Sequence, residues 1–185
     1  GNVMFESGDT VTSDLGEAKK PTQDRVRLAI VGLGLIGLRH ADAIDHVGDA
    51  ELCAVVDASQ ASQEQAARRG VAWYNDLSRM IKEQSPDGII LATPTVLHVE
   101  QAQICIDAGI PVLVEKPLAD DVRSAFDLVT KAESKNVAIL VGHHRRHNPL
   151  IRKAHAMIQA GNIGDVRAVQ SVCWFYKPDD YFEIA

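Results

Sequence analysis

The run VRLAIVGLGLIG from Val26 to Gly37 constrains this chain more than any other, because an apolar strand passes directly into Gly32, Gly34 and Gly37. Gly32 allows a tight turn, Gly34 lets backbone approach a ligand closely, and Gly37 lets the following helix pack against the strand. Leu35 and Ile36 complete the loop. The helix expected from Gly37 to about Val47 then aims unpaired amides at anionic oxygens, which is the chemistry of a pyrophosphate seat. A glycine run of this kind can also close an ordinary strand-to-helix unit, with nothing bound. Its context argues for more: a second apolar strand, Glu51 to Val56, ends in Asp57 and Ala58. A carboxylate about twenty residues beyond the last glycine can accept hydrogen bonds from both adenosine ribose hydroxyls.

The chain has 185 residues, 46% hydrophobic and 24% charged, which suffices for one substantial core and a remainder. Its formal net charge of −6 argues against a nucleic-acid surface, which needs clustered Lys and Arg. Residues 1–24 carry five acids against Lys19 and Lys20 and have no continuous apolar segment, so they are expected to form a flexible tail. No stretch reaches the roughly 18 apolar residues of a membrane span, and no membrane partner is expected. Cys53, Cys105 and Cys173 are far apart, lie in apolar segments and make no metal-spaced pair, which suits reduced core thiols in a cytoplasmic protein.

Strand and helix patterns alternate from Val26 to Gly142. Helices are expected at 59–69, after Asp76, after Thr93-Pro94-Thr95, and after Asp120 or Asp121; in the last, Val122, Ala125, Phe126, Val129 and Ala132 recur at helical spacing. Further strands are expected at 71–74, 88–92, 111–115 and 137–141, the one at 88–92 wholly apolar and therefore central. This is the order of a doubly wound parallel α/β sheet, a Rossmann fold, over residues 25–147. Residues 148–185 read differently, as a linker helix and then a long strand, Val166 to Tyr176, with nowhere to pair in a completed sheet. That strand is expected to open a mixed α/β substrate domain left incomplete at Ala185.

Ligands of an open parallel sheet bind outside the carboxyl ends of the strands. The residues there are Thr93, Pro94, Thr95 and His98 after strand four, Glu115, Lys116 and Pro117 after strand five, and His143 to Asn148 after strand six. Pro117 removes Lys116 from helical geometry and permits a cis bond, so the ammonium is fixed at the strand end, although position alone better describes a solvated lysine. His98 has two readings, a site residue near the helix start or a satisfied core histidine. His143 and His147 are four apart, but two arginines stand between them and no carboxylate or thiolate shares the segment; no metal site is expected.

Gly32 to Gly37 with His40, Thr93-Pro94-Thr95 with His98, Glu115-Lys116-Pro117, and Arg145-Arg146 with Pro149 together resemble the glucose-fructose oxidoreductase / inositol dehydrogenase (Gfo/Idh/MocA) family. The resemblance implies an NAD(P)-dependent enzyme that oxidises a secondary hydroxyl of a sugar or cyclitol. It implies that Thr93, Pro94, Thr95, His98, Glu115, Lys116 and Arg145 join Gly32, Gly34, Leu35, Ile36, Gly37, Asp57 and Ala58 around the cofactor. Lys116 would act catalytically, touching the nicotinamide ribose and the substrate hydroxyl, with Arg146 and His144 on the substrate side. Asp57 favours NAD over NADP, since a 2′-phosphate would meet its charge, although Ser59 and Gln60 stand close by.

Thr95 stands where the family often has Asn, and His147 where it often has an aromatic residue. The family's Asp-x-x-x-His catalytic pair, on a helix of the second domain, would fall after Ala185, so this chain alone is expected to be inactive. The second domain's sheet would mediate any homo-oligomer. Two other readings share these residues: a non-catalytic NAD(H)-binding module or regulator, and a family member with NAD-assisted lyase or hydrolase chemistry.

Overall fold

The structure, a computed structural model, describes residues 25–174 and 176. The flexible tail expected over residues 1–24 lies outside them. Six strands alternate with helices: β1 Val26–Val31, α1 Leu35–Asp45, β2 Ala50–Val56, α2 Gln60–Arg69, β3 Ala72–Tyr74, α3 Leu77–Gln84, β4 Gly88–Leu91, α4 His98–Asp107, β5 Val112–Val114, α5 Val122–Ser134 and β6 Ile139–Val141. They form one sheet in the order β3-β2-β1-β4-β5-β6, every pair parallel. The doubly wound sheet read from the sequence is therefore present. The strand order reverses between β1 and β4, and the crevice of such a sheet opens there.

Side chains alternate across the sheet and feed two cores. On one face Val31, Val56 and Leu91 pack with Met80, Ile106 and Leu128; on the other, Ile30, Val55 and Ile90 pack with Ala41, Ile44 and Ala66. All of β4 is buried, as a strand covered by helices on both faces should be. Side-chain caps set the starts of three of the helices around this sheet: Ser59 Oγ accepts the Ser62 amide, Asp76 the Arg79 amide and Asp121 the Ser124 amide.

Some boundaries and faces differ from the sequence reading. α1 begins at Leu35 rather than Gly37, because Gly34 already serves as its N-cap. The expected apolar stripe of α5 faces inward only in part: Ala132 is buried and Ala125 and Val129 half-buried, but Val122 is exposed and Phe126 is 71% exposed, while Leu128, outside the stripe, is buried. Lys131 and Lys135 each reach Asp107 of α4 at 2.7 Å, and of the residues between them only Ala132 is buried.

The chain divides after Gly142, ahead of the expected boundary at 147. The second unit holds a 3-10 turn, His144–His147, and α6, Pro149–Gln159, which starts with Asn148 capping the Leu150 amide and Pro149 in the first turn. The strand expected over 166–176 is not formed at residues 166–174, which have no regular structure and are exposed. A strand needs a partner for its amides and carbonyls, and no described residues pair with this segment. Cys173, expected in a core, is exposed for the same reason, whereas Cys105 is buried and its thiol is pushed up to about 12 by that burial.

Candidate functional site

The three glycines of the loop have separate physical duties. Gly32 has φ +86°, and a Cβ there would lie 2.9 Å from the Ala92 backbone carbonyl. A Cβ on Gly37 would lie 2.0 Å from the Gly32 carbonyl oxygen, so α1 can approach the loop only without it. Gly34 is different: its φ is −72°, and nothing lies within 4 Å of the position a Cβ would take. The protein's own packing does not require glycine at 34, but a ligand approaching the backbone there would. α1 has no side-chain cap, so its first-turn amides remain available to an anion.

Asp57 is tied to this loop. Its Oδ2 accepts the Leu33 amide at 2.7 Å and its Oδ1 accepts the Ser59 amide at 2.8 Å. Partial burial pushes its pKa up, but hydrogen bonds from Leu33, Ser59 and Ser62 outweigh that and hold it below its usual 3.8. It is an anion at neutral pH, and each oxygen retains a further acceptor direction.

The loop and Asp57 border an open cleft of about 580 Å³ at the carboxyl ends of β1, β2 and β4. Gly32, Gly34, Leu35, Ile36, Asp57, Ala58, Thr93 and Pro94, all expected from sequence, line it. Gly37 lies beneath the loop. Asn75, Leu97 and Gln101 also line the cleft and were not anticipated. Asn75 follows β3 directly, so the strand-end rule applied to β3 would have found it; Gln101 is brought in by α4, where it accepts the Thr93 hydroxyl at 2.6 Å. Backbone donors at one end, a fixed carboxylate and apolar walls suit a dinucleotide.

Thr95 opens the 3-10 turn Thr95–Leu97 and does not line this cleft. His98 is 1% exposed, with Nδ1 2.8 Å from the Pro117 carbonyl oxygen and Nε2 2.8 Å from that of Thr93. Both ring nitrogens face carbonyl oxygens, and a neutral ring donates to one of them, so the cofactor contact expected of His98 gives way to its other reading, a buried histidine that joins two loops. Glu115 is half-buried: Oε1 accepts His40 Nε2 at 2.8 Å, and Oε2 takes the Lys116 amide at 3.2 Å. Lys116 is exposed and joined to Pro117 by a cis bond. His144, Arg145 and Arg146 belong to the second unit. There His144 and Arg145 border one cavity, of about 490 Å³, while Arg146 borders another, of about 540 Å³, with Arg152 and His155. Among the described residues no three His, Cys, Asp or Glu side chains meet where they could hold a metal ion. No helix among them is long and apolar enough to cross a membrane.

Comparison with known proteins agrees with this fold. Residues 26–143 match the Gfo/Idh/MocA family, described as an oxidoreductase family with an NAD-binding Rossmann fold. The chain is 36% identical over 155 residues to 4-carboxy-2-hydroxymuconate-6-semialdehyde dehydrogenase of Sphingobium sp., covering 82% of this chain and 49% of that protein. It is 35% identical over 144 residues to inositol 2-dehydrogenase of Rhodococcus erythropolis, covering 75% and 41%. The crystal structure of the WlbA dehydrogenase from Bordetella pertussis, in complex with NADH and UDP-GlcNAcA, superposes with a TM-score of 0.77 at 28% identity, covering 87% of this chain and 50% of that one. The chain thus spans about half the length of the relatives it matches. With the strand order, the glycine loop and the family match in agreement, the chain belongs to the Gfo/Idh/MocA family of oxidoreductases.

Proposed function

We propose that the protein carrying this chain is an NAD-dependent dehydrogenase acting on a secondary hydroxyl of a sugar or cyclitol, and that the unit from Val26 to Gly142 is its cofactor-binding part. The observation that carries this reading is the hydrogen-bonded union of the glycine loop with Asp57 at the mouth of an open cleft. The amides of the loop and of the first turn of α1 receive the pyrophosphate, and Asp57 accepts hydrogen bonds from the adenosine ribose. A 2′-phosphate would bring like charge against Asp57, so NAD is preferred to NADP. When bound, the nicotinamide supplies the hydride acceptor or donor.

Lys116 follows β5, the strand beside β4, where a parallel sheet delivers side chains to its crevice. A lysine ammonium there can hold the alkoxide that develops as the hydroxyl proton leaves, an effect of the order of a few kcal/mol for a well-placed donor. The relatives' names span a semialdehyde and inositol, which supports a small polar hydroxyl or carbonyl compound as the substrate class.

The test is steady-state kinetics of NAD reduction by the intact protein against a panel of cyclitols and aldoses, with Lys116→Ala and Lys116→Arg. Both variants should lose kcat by at least a hundredfold while NADH affinity changes little, because arginine keeps the charge but not the compact ammonium. Near wild-type kcat in either variant would place the chemistry elsewhere.

A further inference from the structure

The proposed role of Lys116 leaves open what holds its loop. Glu115 is its immediate neighbour, and three separate observations converge on the Glu115 carboxylate. Oε1 lies 2.8 Å from His40 Nε2, and because an ionised carboxylate only accepts, the ring must present an N–H there. Oε2 accepts the Lys116 amide. The space the carboxylate occupies is available only because residue 142 is glycine: a Cβ on Gly142 would lie 2.8 Å from Oε1, 2.9 Å from Cδ and 3.1 Å from Oε2. Gly142 is itself held against the strand before Glu115, its amide donating to the Val114 carbonyl at 2.8 Å.

His40 belongs to α1, the helix whose uncapped N-terminus adjoins the glycine loop. His40 and Glu115 are 75 positions apart in the chain, yet one hydrogen bond joins the helix that seats the pyrophosphate to the strand end that presents the lysine. We infer that His40 and Gly142 are positioning residues: they hold the Glu115 carboxylate where it fixes the Lys116 backbone, and through His40 a ligand seated on the glycine loop steadies the lysine loop. This inference rests on the reading of the cleft as the cofactor site and of Lys116 as the group that meets the substrate. His40 and Gly142 touch neither.

The coupling is ordinary linkage. A ligand that stabilises α1 stabilises whatever α1 holds in place, by as much as the held and released states of the Glu115 loop differ in affinity for it. His40→Leu removes the link while leaving α1 and the glycine loop intact. Gly142→Ala displaces the carboxylate from the opposite side, without altering α1. His40→Gln retains an N–H donor and is the conservative control.

The experiment is residue-resolved amide exchange of the full 185-residue chain, with and without NADH, in the wild type and the three variants, alongside NADH titrations. In the wild type, NADH should slow exchange of the Lys116 amide several-fold. In His40→Leu that slowing should disappear, and in Gly142→Ala the amide should exchange faster even without NADH, while both variants bind NADH within about threefold of wild type. His40→Gln should retain most of the slowing. NADH-dependent protection of Lys116 that persists undiminished in His40→Leu would overturn the inference, since it would be direct shielding. Unchanged exchange in Gly142→Ala would also overturn it, and would do so even if His40→Leu failed to fold. Failure of the wild type to bind NADH would instead overturn the assignment of the cleft.

Discussion

The Asp57 carboxylate accepts the Leu33 amide at 2.7 Å, so the acid that ends β2 and the loop that ends β1 are one hydrogen-bonded unit before any ligand arrives. The bond fixes the carboxylate beside Gly34, the glycine whose missing side chain leaves open space. Preorganisation of this kind lowers the ordering cost of binding.

That unit should be visible in the pH dependence of stability. Asp57 titrates below its usual 3.8 in the folded chain, so its contribution is complete above about pH 4 and is lost as pH falls through the folded value. Asp57→Ala should lower the urea midpoint at pH 7 by the equivalent of about 1 kcal/mol and flatten the loss of stability below pH 4. Identical urea midpoints for the two proteins at pH 7 would show that the bond contributes nothing to the fold.

The glycines give a sharper contrast. Gly37→Ala places a methyl group 2.0 Å from the Gly32 carbonyl oxygen and should destabilise the unit by more than about 2 kcal/mol. Gly34→Ala meets no atom within 4 Å, and its backbone is one alanine can adopt, so stability should stay within about 0.5 kcal/mol of wild type. NADH affinity should nonetheless fall at least tenfold in Gly34→Ala. Thermal melts and NADH titrations of the two variants check this, and unimpaired binding by a well-folded Gly34→Ala would remove the pyrophosphate from this loop.

His98→Leu should be costly despite its apolar replacement. The Thr93 or Pro117 carbonyl, whichever takes the ring N–H, would lose its donor in a partly buried position, with an expected loss of about 1–3 kcal/mol. Denaturant titration measures it. A variant as stable as wild type would mean that water or another donor replaces the histidine N–H.

Much of this was legible in the chain because it is local. The glycine loop, Asp57, the apolar fourth strand and the caps at Asp76 and Asp121 each follow from residues a few positions apart. The errors arose where tertiary partners decide. Phe126 belongs to an apolar repeat at helical spacing, yet it is 71% exposed while Leu128, outside that repeat, is buried, because which face of α5 is covered depends on the elements packed against it. Gln101 entered the cleft unannounced because its place depends on how α4 begins after a 3-10 turn. The His40–Glu115 bond could not be read at all, since nothing within either segment specifies the other. Val166 to Tyr176 has the composition of a strand, but composition cannot supply the neighbour that a strand needs.

The most direct test of the account is a calorimetric titration of the 185-residue chain with NADH and, separately, with NADPH. The cleft, the loop and Asp57 predict saturable binding of one NADH per chain, with NADPH at least tenfold weaker and the gap narrowed in Asp57→Ala. No saturable NADH binding by the folded chain, or NADPH binding as tight as NADH, would contradict it.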